Sequence, residues 1–243
     1  MKIILKFLIL IVCALVFAEV SMFYDNNYSP EAKALKRLEE SCDQKDAAAC
    51  LELGDKYRHR SSRLSADVLE KVYAYVRKAC EYGSGEGCVR IGARYRVGDE
   101  LPQDFNLARE YLQKGCDTGA PDGCAVLGHL YMNGDGVPRE PETARRYYQK
   151  SCDGGSGLGC YSLGRIYLAN DFDDAGISIK DLFLKACASQ ILDSCEIVRK
   201  LAEEERFMKQ EPQLSGSSEN VADSAGGSDR EAAQDALEGS KDK

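Results

Sequence analysis

An all-α fold is what the sequence predicts: an α/α solenoid of stacked, disulfide-stapled helix-turn-helix repeats of about 36 residues. Three observations predict it. Ten cysteines fall into five couples of one spacing: Cys42 and Cys50, Cys80 and Cys88, Cys116 and Cys124, Cys152 and Cys160, Cys187 and Cys195. Seven residues separate the members of each couple, and successive couples are offset by 38, 36, 36 and 35 residues. The second cysteine opens a recurring pattern: Cys50-x-x-Leu53-Gly54-x-x-Tyr57, Cys88-x-x-Ile91-Gly92-x-x-Tyr95, Cys124-x-x-Leu127-Gly128-x-x-Tyr131 and Cys160-x-x-Leu163-Gly164-x-x-Tyr167. The first cysteine closes another: Lys78-Ala79-Cys80, Lys114-Gly115-Cys116, Lys150-Ser151-Cys152 and Lys185-Ala186-Cys187. A fixed period of this length marks an array whose units pack on their neighbours, so a chain of 243 residues need not be one or two globular domains.

Each couple is expected to be a disulfide. Zinc sites favour ligands two to four residues apart, completed by further Cys or His, and the only histidines are His59 and His129. Haem attachment and thioredoxin-like redox chemistry need Cys-x-x-Cys, which is absent. Disulfides suit an exported chain, and the repeat predicts pairing within each local couple.

Offsets of 0, 3, 4 and 7 from the second cysteine share one helix face. Glycine inside a helix costs roughly 1 kcal/mol against alanine, so its recurrence predicts a neighbouring helix in close approach. Gly98, Gly134 and Asn170, ten residues after their cysteines, suit the left-handed residue that ends a helix. A second helix then runs to the next couple, with Tyr111, Leu112, Tyr147, Tyr148, Leu182 and Phe183 on its buried side and a lysine in the last turn, favourable to the helix dipole. Gly83, Gly119 and Gly155 follow as stop signals.

The ends differ from the repeats. Met1–Ala18 reads as a signal peptide: a positive start, an apolar stretch of 12 residues from Phe7, and Val16-Phe17-Ala18 before cleavage. That stretch is shorter than the roughly 20 residues of a membrane span, although an uncleaved anchor is the alternative. Cys13 is one more apolar residue of this signal. Residues 19–28 form a lead, 29–209 the solenoid, and 210–243 an acidic tail too poor in apolar residues to fold. Ser29-Pro30 starts the first helix as N-cap and N1, and Cys195-Glu196-Ile197-Val198-Arg199, lacking the Gly and Tyr, leads into a polar capping helix.

Leu-Gly-x-x-Tyr, then Gly134-Asp135-Gly136-Val137-Pro138, then Lys-x-Cys resembles the Sel-one-like repeat family, relatives of the tetratricopeptide repeats. Cysteines eight residues apart in every repeat resemble its cysteine-rich Helicobacter branch. The resemblance spans about residues 29–205. It implies a right-handed superhelix of stacked helix pairs whose concave groove binds a protein or peptide. The cysteine-rich branch further implies a β-lactamase that binds penicillin derivatives, with a β-lactam or cell-wall peptide as ligand.

The residues carry little catalytic chemistry. The serine β-lactamase motif Ser-x-x-Lys occurs only at Ser240-Lys241-Asp242-Lys243, in the tail, and neither Lys-Thr-Gly nor Ser-Asp-Asn is present. Two histidines cannot build a catalytic metal site, and bridged cysteines are not nucleophiles. No catalytic residue, metal or cofactor is therefore expected. A net charge of −8 argues against nucleic acid, and no membrane span is expected once the signal is removed. Arg90, Arg94, His129 and Arg165 lie two, five or six residues after their cysteines, off the buried stripe. They are the candidate ligand-binding residues, basic spots able to hold the carboxylate of a peptide or a β-lactam. The expected function is an exported scaffold, periplasmic or secreted, that binds a peptide or protein in its groove; the alternative is a β-lactam hydrolase.

Overall fold

The computed structural model describes residues 29–60, 65–169 and 178–210, together with 14, 16 and 17. The signal cleavage site, Asn170 and the acidic tail lie outside these residues. Ten helices and no strand occur among the described residues from Ser29 on: α1 Pro30–Asp43, α2 Ala47–Arg60, α3 Ala66–Glu81, α4 Gly85–Val97, α5 Phe105–Asp117, α6 Pro121–Asn133, α7 Pro141–Asp153, α8 Gly157–Leu168, α9 Ile179–Ala188 and α10 Leu192–Gln210. The chain forms two compact units, residues 1–84 holding α1–α3 and residues 85–243 holding α4–α10.

The unit of construction is a helix pair. In the first unit α2 packs on α1 and α3. In the second, α4 pairs with α5, α6 with α7 and α8 with α9, and each second helix also packs on the first helix that follows. The first helices α4, α6 and α8 lie side by side.

The motif glycines mark where the two helices of a pair meet. A methyl group added at Gly54 would stand 3.1 Å from Val76, at Gly92 2.8 Å from Leu112, at Gly128 2.7 Å from Tyr148 and at Gly164 3.0 Å from Phe183. The facing residue at three of the four positions is a large, fully buried side chain: Leu112, Tyr148 and Phe183. Glycine is kept at these positions because the second helix fills the space a side chain would occupy.

Disulfides join the end of one helix to the start of the next. They are Cys42–Cys50 between α1 and α2, Cys116–Cys124 between α5 and α6, Cys152–Cys160 between α7 and α8, and Cys187–Cys195 between α9 and α10, with Cα atoms 4.5–4.7 Å apart. Cys80 and Cys88 are disulfide-bonded as well. Closing a loop of nine residues restricts the unfolded chain by about 2.5 kcal/mol, which matters in a thin array where each repeat buries little core. Bridges at this density belong to an oxidising compartment.

The turn inside each loop is one motif repeated five times. The residue three after the first cysteine takes a positive φ, 97° at Gly83, 86° at Gly119 and 92° at Gly155. The amide that follows closes back onto a carbonyl five residues earlier, as Ala120 N to Gly115 O at 3.0 Å and Ser156 N to Ser151 O at 3.0 Å. This is the helix-ending arrangement that favours glycine. The outer loops reach it without glycine, through Lys45 at φ 68° and Gln190 at φ 65°. Disulfide and helix packing hold those two residues in a conformation their sequence does not announce.

One expectation needs correcting. Tyr111 and Tyr147 are half-buried, not core. They stack on the motif tyrosines of their own pairs, Tyr95–Tyr111 at 5.9 Å and Tyr131–Tyr147 at 5.6 Å between ring centroids, as Tyr57–Tyr75 does at 5.5 Å. Tyr167 alone among the motif tyrosines is fully buried. Two of the Lys-x-Cys lysines, besides sitting in the last helical turn, reach the aspartate at the end of the preceding second helix, Lys78 to Asp43 at 3.1 Å and Lys150 to Asp117 at 3.6 Å.

Candidate functional site

A polar cluster interrupts the packing pattern where α4, α6 and α8 run side by side. Counted from the cysteine that opens each helix, its members stand at falling offsets: Arg96 eight residues after Cys88, His129 five after Cys124, and Ser162 two after Cys160, with Arg165 one turn further along α8. The set draws a diagonal across three neighbouring helices.

Packing fixes His129 at its centre. Because Gly128 has no side chain, Tyr148 of α7 lies flat against α6, 2% exposed. Its hydroxyl then meets His129 Nδ1 at 3.0 Å, and the two rings pack edge to face with centroids 5.2 Å apart. On the other side His129 Nε2 faces Ser162 Oγ at 3.4 Å, and Ser162 is itself buried. Burial first, and then the guanidinium charges of Arg96 and Arg165, push the His129 pKa from 6.5 down to about 4, against an opposing pull from Asp135. The imidazole is neutral at pH 7.

The tautomer follows from the tyrosine. Burial pushes the Tyr148 phenol up, so it keeps its proton. With this hydroxyl donating, Nδ1 accepts and the imidazole proton sits on Nε2, directed toward Ser162. In that arrangement Ser162 is a poor nucleophile, because the nitrogen beside it has no free lone pair to take its proton.

A cavity of about 220 Å³ opens beside the pair, lined by His129, Met132, Tyr148, Ser162, Arg165 and Ile166. The exposed Arg165 borders it, with its guanidinium 5.7 Å from the centroid of the Tyr161 ring. The Nε of Arg96 is buried and has no hydrogen-bond partner. Neither Arg96 nor Arg165 forms an ion pair among the described residues. The polar residues lining this space include two that supply donors, the Ser162 hydroxyl and the Arg165 guanidinium, beside the His129 imidazole.

Of the four residues singled out in the sequence, the structure brings together His129 and Arg165. Arg90 is held by Glu86 on its own helix, with contacts at 2.6 and 3.1 Å. Arg94 is held by Asp99 at 2.8 Å and Glu100 at 3.6 Å. Both are neutralised locally and are not free basic spots. Sequence reading missed Arg96, Tyr148 and Ser162. Ser162 occupies the same offset as Arg90, so the pattern that selected Arg90 contained the signal for it. His59 lies elsewhere, in the first unit, on a largely apolar cavity of about 580 Å³ between α1 and α2 that also touches Leu35, Leu38 and Tyr57.

Comparison with known proteins identifies the repeat. The Sel1 repeat model matches residues 85–119 and 121–156, the pairs α4–α5 and α6–α7. Solved structures share the fold. A protective antigen of uropathogenic Escherichia coli displaying an SLR fold aligns with TM-score 0.60 and 23% identity over 70% of this chain, which spans 36% of that protein. A Sel1 repeat protein of Oxalobacter formigenes aligns with TM-score 0.60 and 18% identity over 92% of this chain and 85% of its own. Cysteine rich protein B of Helicobacter pylori aligns with TM-score 0.43 and 28% identity over 56% of this chain and 99% of its own. No curated protein matches the sequence.

Proposed function

We propose that this chain, which carries Sel1 repeats in the fold of the SLR proteins, is an exported scaffold that holds a peptide or protein partner in a groove formed by the first helices of successive repeats. The observation that carries the reading is the convergence of His129, Ser162 and Arg165 from two neighbouring first helices on one cavity, with the charge of Arg96, on the first helix before them, acting on His129. A helix array needs no polar group there for stability. Leu112 and Phe183 serve the same packing position as Tyr148 without any polar atom. The bridged cysteines support export, with residues 1–18 as the removed signal and residues 210–243 as a solvated tail.

The hydrolase alternative draws less from the site. It needs a base for Ser162, and with Tyr148 donating to Nδ1 the nitrogen facing Ser162 carries a proton.

Site-specific photocrosslinking tests the reading. A benzophenone side chain is placed at Ala169, which borders the cavity, or at Arg146, exposed on α7. The scaffold reading expects one discrete adduct of the exported protein from position 169 and none from 146. Equal adducts from both, or adducts from 146 alone, would contradict it. The mature protein is expected to begin at Glu19, as read by intact mass.

A further inference from the structure

The geometry points to the cavity between α6 and α8 as a carboxylate subsite, in which the His129 Nε2–H, the Ser162 hydroxyl and the Arg165 guanidinium grip one carboxylate of the partner while Arg96 supplies charge from behind. The assignment rests on the scaffold reading and adds the chemistry of what is held there.

Three observations carry it. The first is the direction of the hydrogen bonds. With the Tyr148 hydroxyl donating to Nδ1, the proton on Nε2 is left facing Ser162, and both residues line the cavity. A neutral imidazole fixed in this way is a donor and not a base. The second is charge. Arg96 and Arg165 each act on His129 more strongly than the opposing Asp135, so the field at this wall of the cavity favours an anion. The third is the Arg96 Nε, a buried donor without a partner. Burying such a group unpaired costs free energy, and an anion drawn into the cavity offsets that cost through its field. A planar carboxylate also suits the flat fork of Arg165.

The carboxylate has two possible sources, the C-terminus of a peptide or an Asp or Glu side chain. Acetate reports the shared chemistry. Imidazole-¹⁵N-labelled oxidised protein is titrated with sodium acetate at pH 7 and constant ionic strength, and the side-chain signals of both histidines are followed. The chain has two histidines, so His59→Gln assigns them, and His59, which does not line the cavity, serves as the internal control. A saturable shift at His129 with none at His59 is expected. Arg165→Gln should weaken the response about tenfold or more; Arg165 is exposed, so folding is not at stake. Arg96→Gln should weaken it less, through charge alone. An acetylated dipeptide acid against its amide, and an acetylated aspartate amide, then distinguish a C-terminal from a side-chain carboxylate.

No saturable shift, equal shifts at both histidines, an unchanged response in Arg165→Gln, or tighter binding of inorganic phosphate than of acetate would each overturn the assignment. If acetate fails while the crosslink at position 169 persists, the scaffold stands and the subsite falls. If acetate binds and no crosslink forms, the subsite stands and the protein partner falls.

Discussion

Residues 85–119 and 121–156 are two copies of one hairpin, and only the second carries the cluster's central pair. Both open on a bridged cysteine, place Gly92 or Gly128 against the partner helix, stack a motif tyrosine on a second-helix tyrosine, and end in a glycine turn. They differ at the contact itself. Leu112 fills the space over Gly92, beside Ala93; Tyr148 fills the space over Gly128, beside His129. Two side chains turn an apolar contact into a hydrogen-bonded one without altering the framework. The framework therefore belongs to the repeat, and chemistry enters at the few positions the repeat leaves unspecified.

The largest test is whether the framework terms really are equal. Replacing Cys116 and Cys124 by Ala, or Cys152 and Cys160 by Ala, should cost about 2.5 kcal/mol each in urea unfolding. A cost confined to one bridge would show that the copies are not equivalent.

Next come the two glycines. Gly92→Ala and Gly128→Ala both overfill a tight contact and should each cost about 1–3 kcal/mol. Only Gly128→Ala should also move the His129 NMR signals, because the Tyr148 ring cannot step aside without leaving Nδ1.

The pH dependence separates the copies further. His129 titrates at 6.5 when unfolded and at about 4 when folded. Between these values the unfolded state binds more protons, so this group adds stability at neutral pH that is lost as pH falls from about 6.5 toward 4. His129→Gln should flatten that part of the stability curve relative to the parent chain. An unchanged acid limb would mean His129 is not buried as described.

Smaller effects follow. Tyr148→Phe keeps the packing, removes the donor to Nδ1 and should cost about 1 kcal/mol. Lys150→Ala breaks an exposed pair with Asp117 and should cost no more than about 0.5 kcal/mol. A larger loss at Lys150 would give the ion pair a weight its exposure does not support.

The sequence made the framework legible because its constraints are local. Cysteine spacing, the helical stripe, the motif glycine and the turn glycines each report on residues within one hairpin. Lys45 and Gln190 escaped because their positive φ is imposed by the surrounding turn and not by residue type. Half of the cluster escaped for a related reason. Offsets within one helix grouped Arg90 and Arg94 with His129 and Arg165, whereas the relevant neighbours are a diagonal across three helices. Acidic residues close by, Glu86, Asp99 and Glu100, had already taken the first two. Tyr148 read as core, correctly, yet its hydroxyl decides the tautomer of the histidine above it.

The account turns on that hydroxyl holding His129 in one protonation state. Long-range ¹H–¹⁵N NMR of the imidazole at pH 7 tests it most directly. The account predicts a neutral ring with the proton on Nε2 and an unprotonated Nδ1. A proton on Nδ1, or a ring charged at neutral pH, would contradict it.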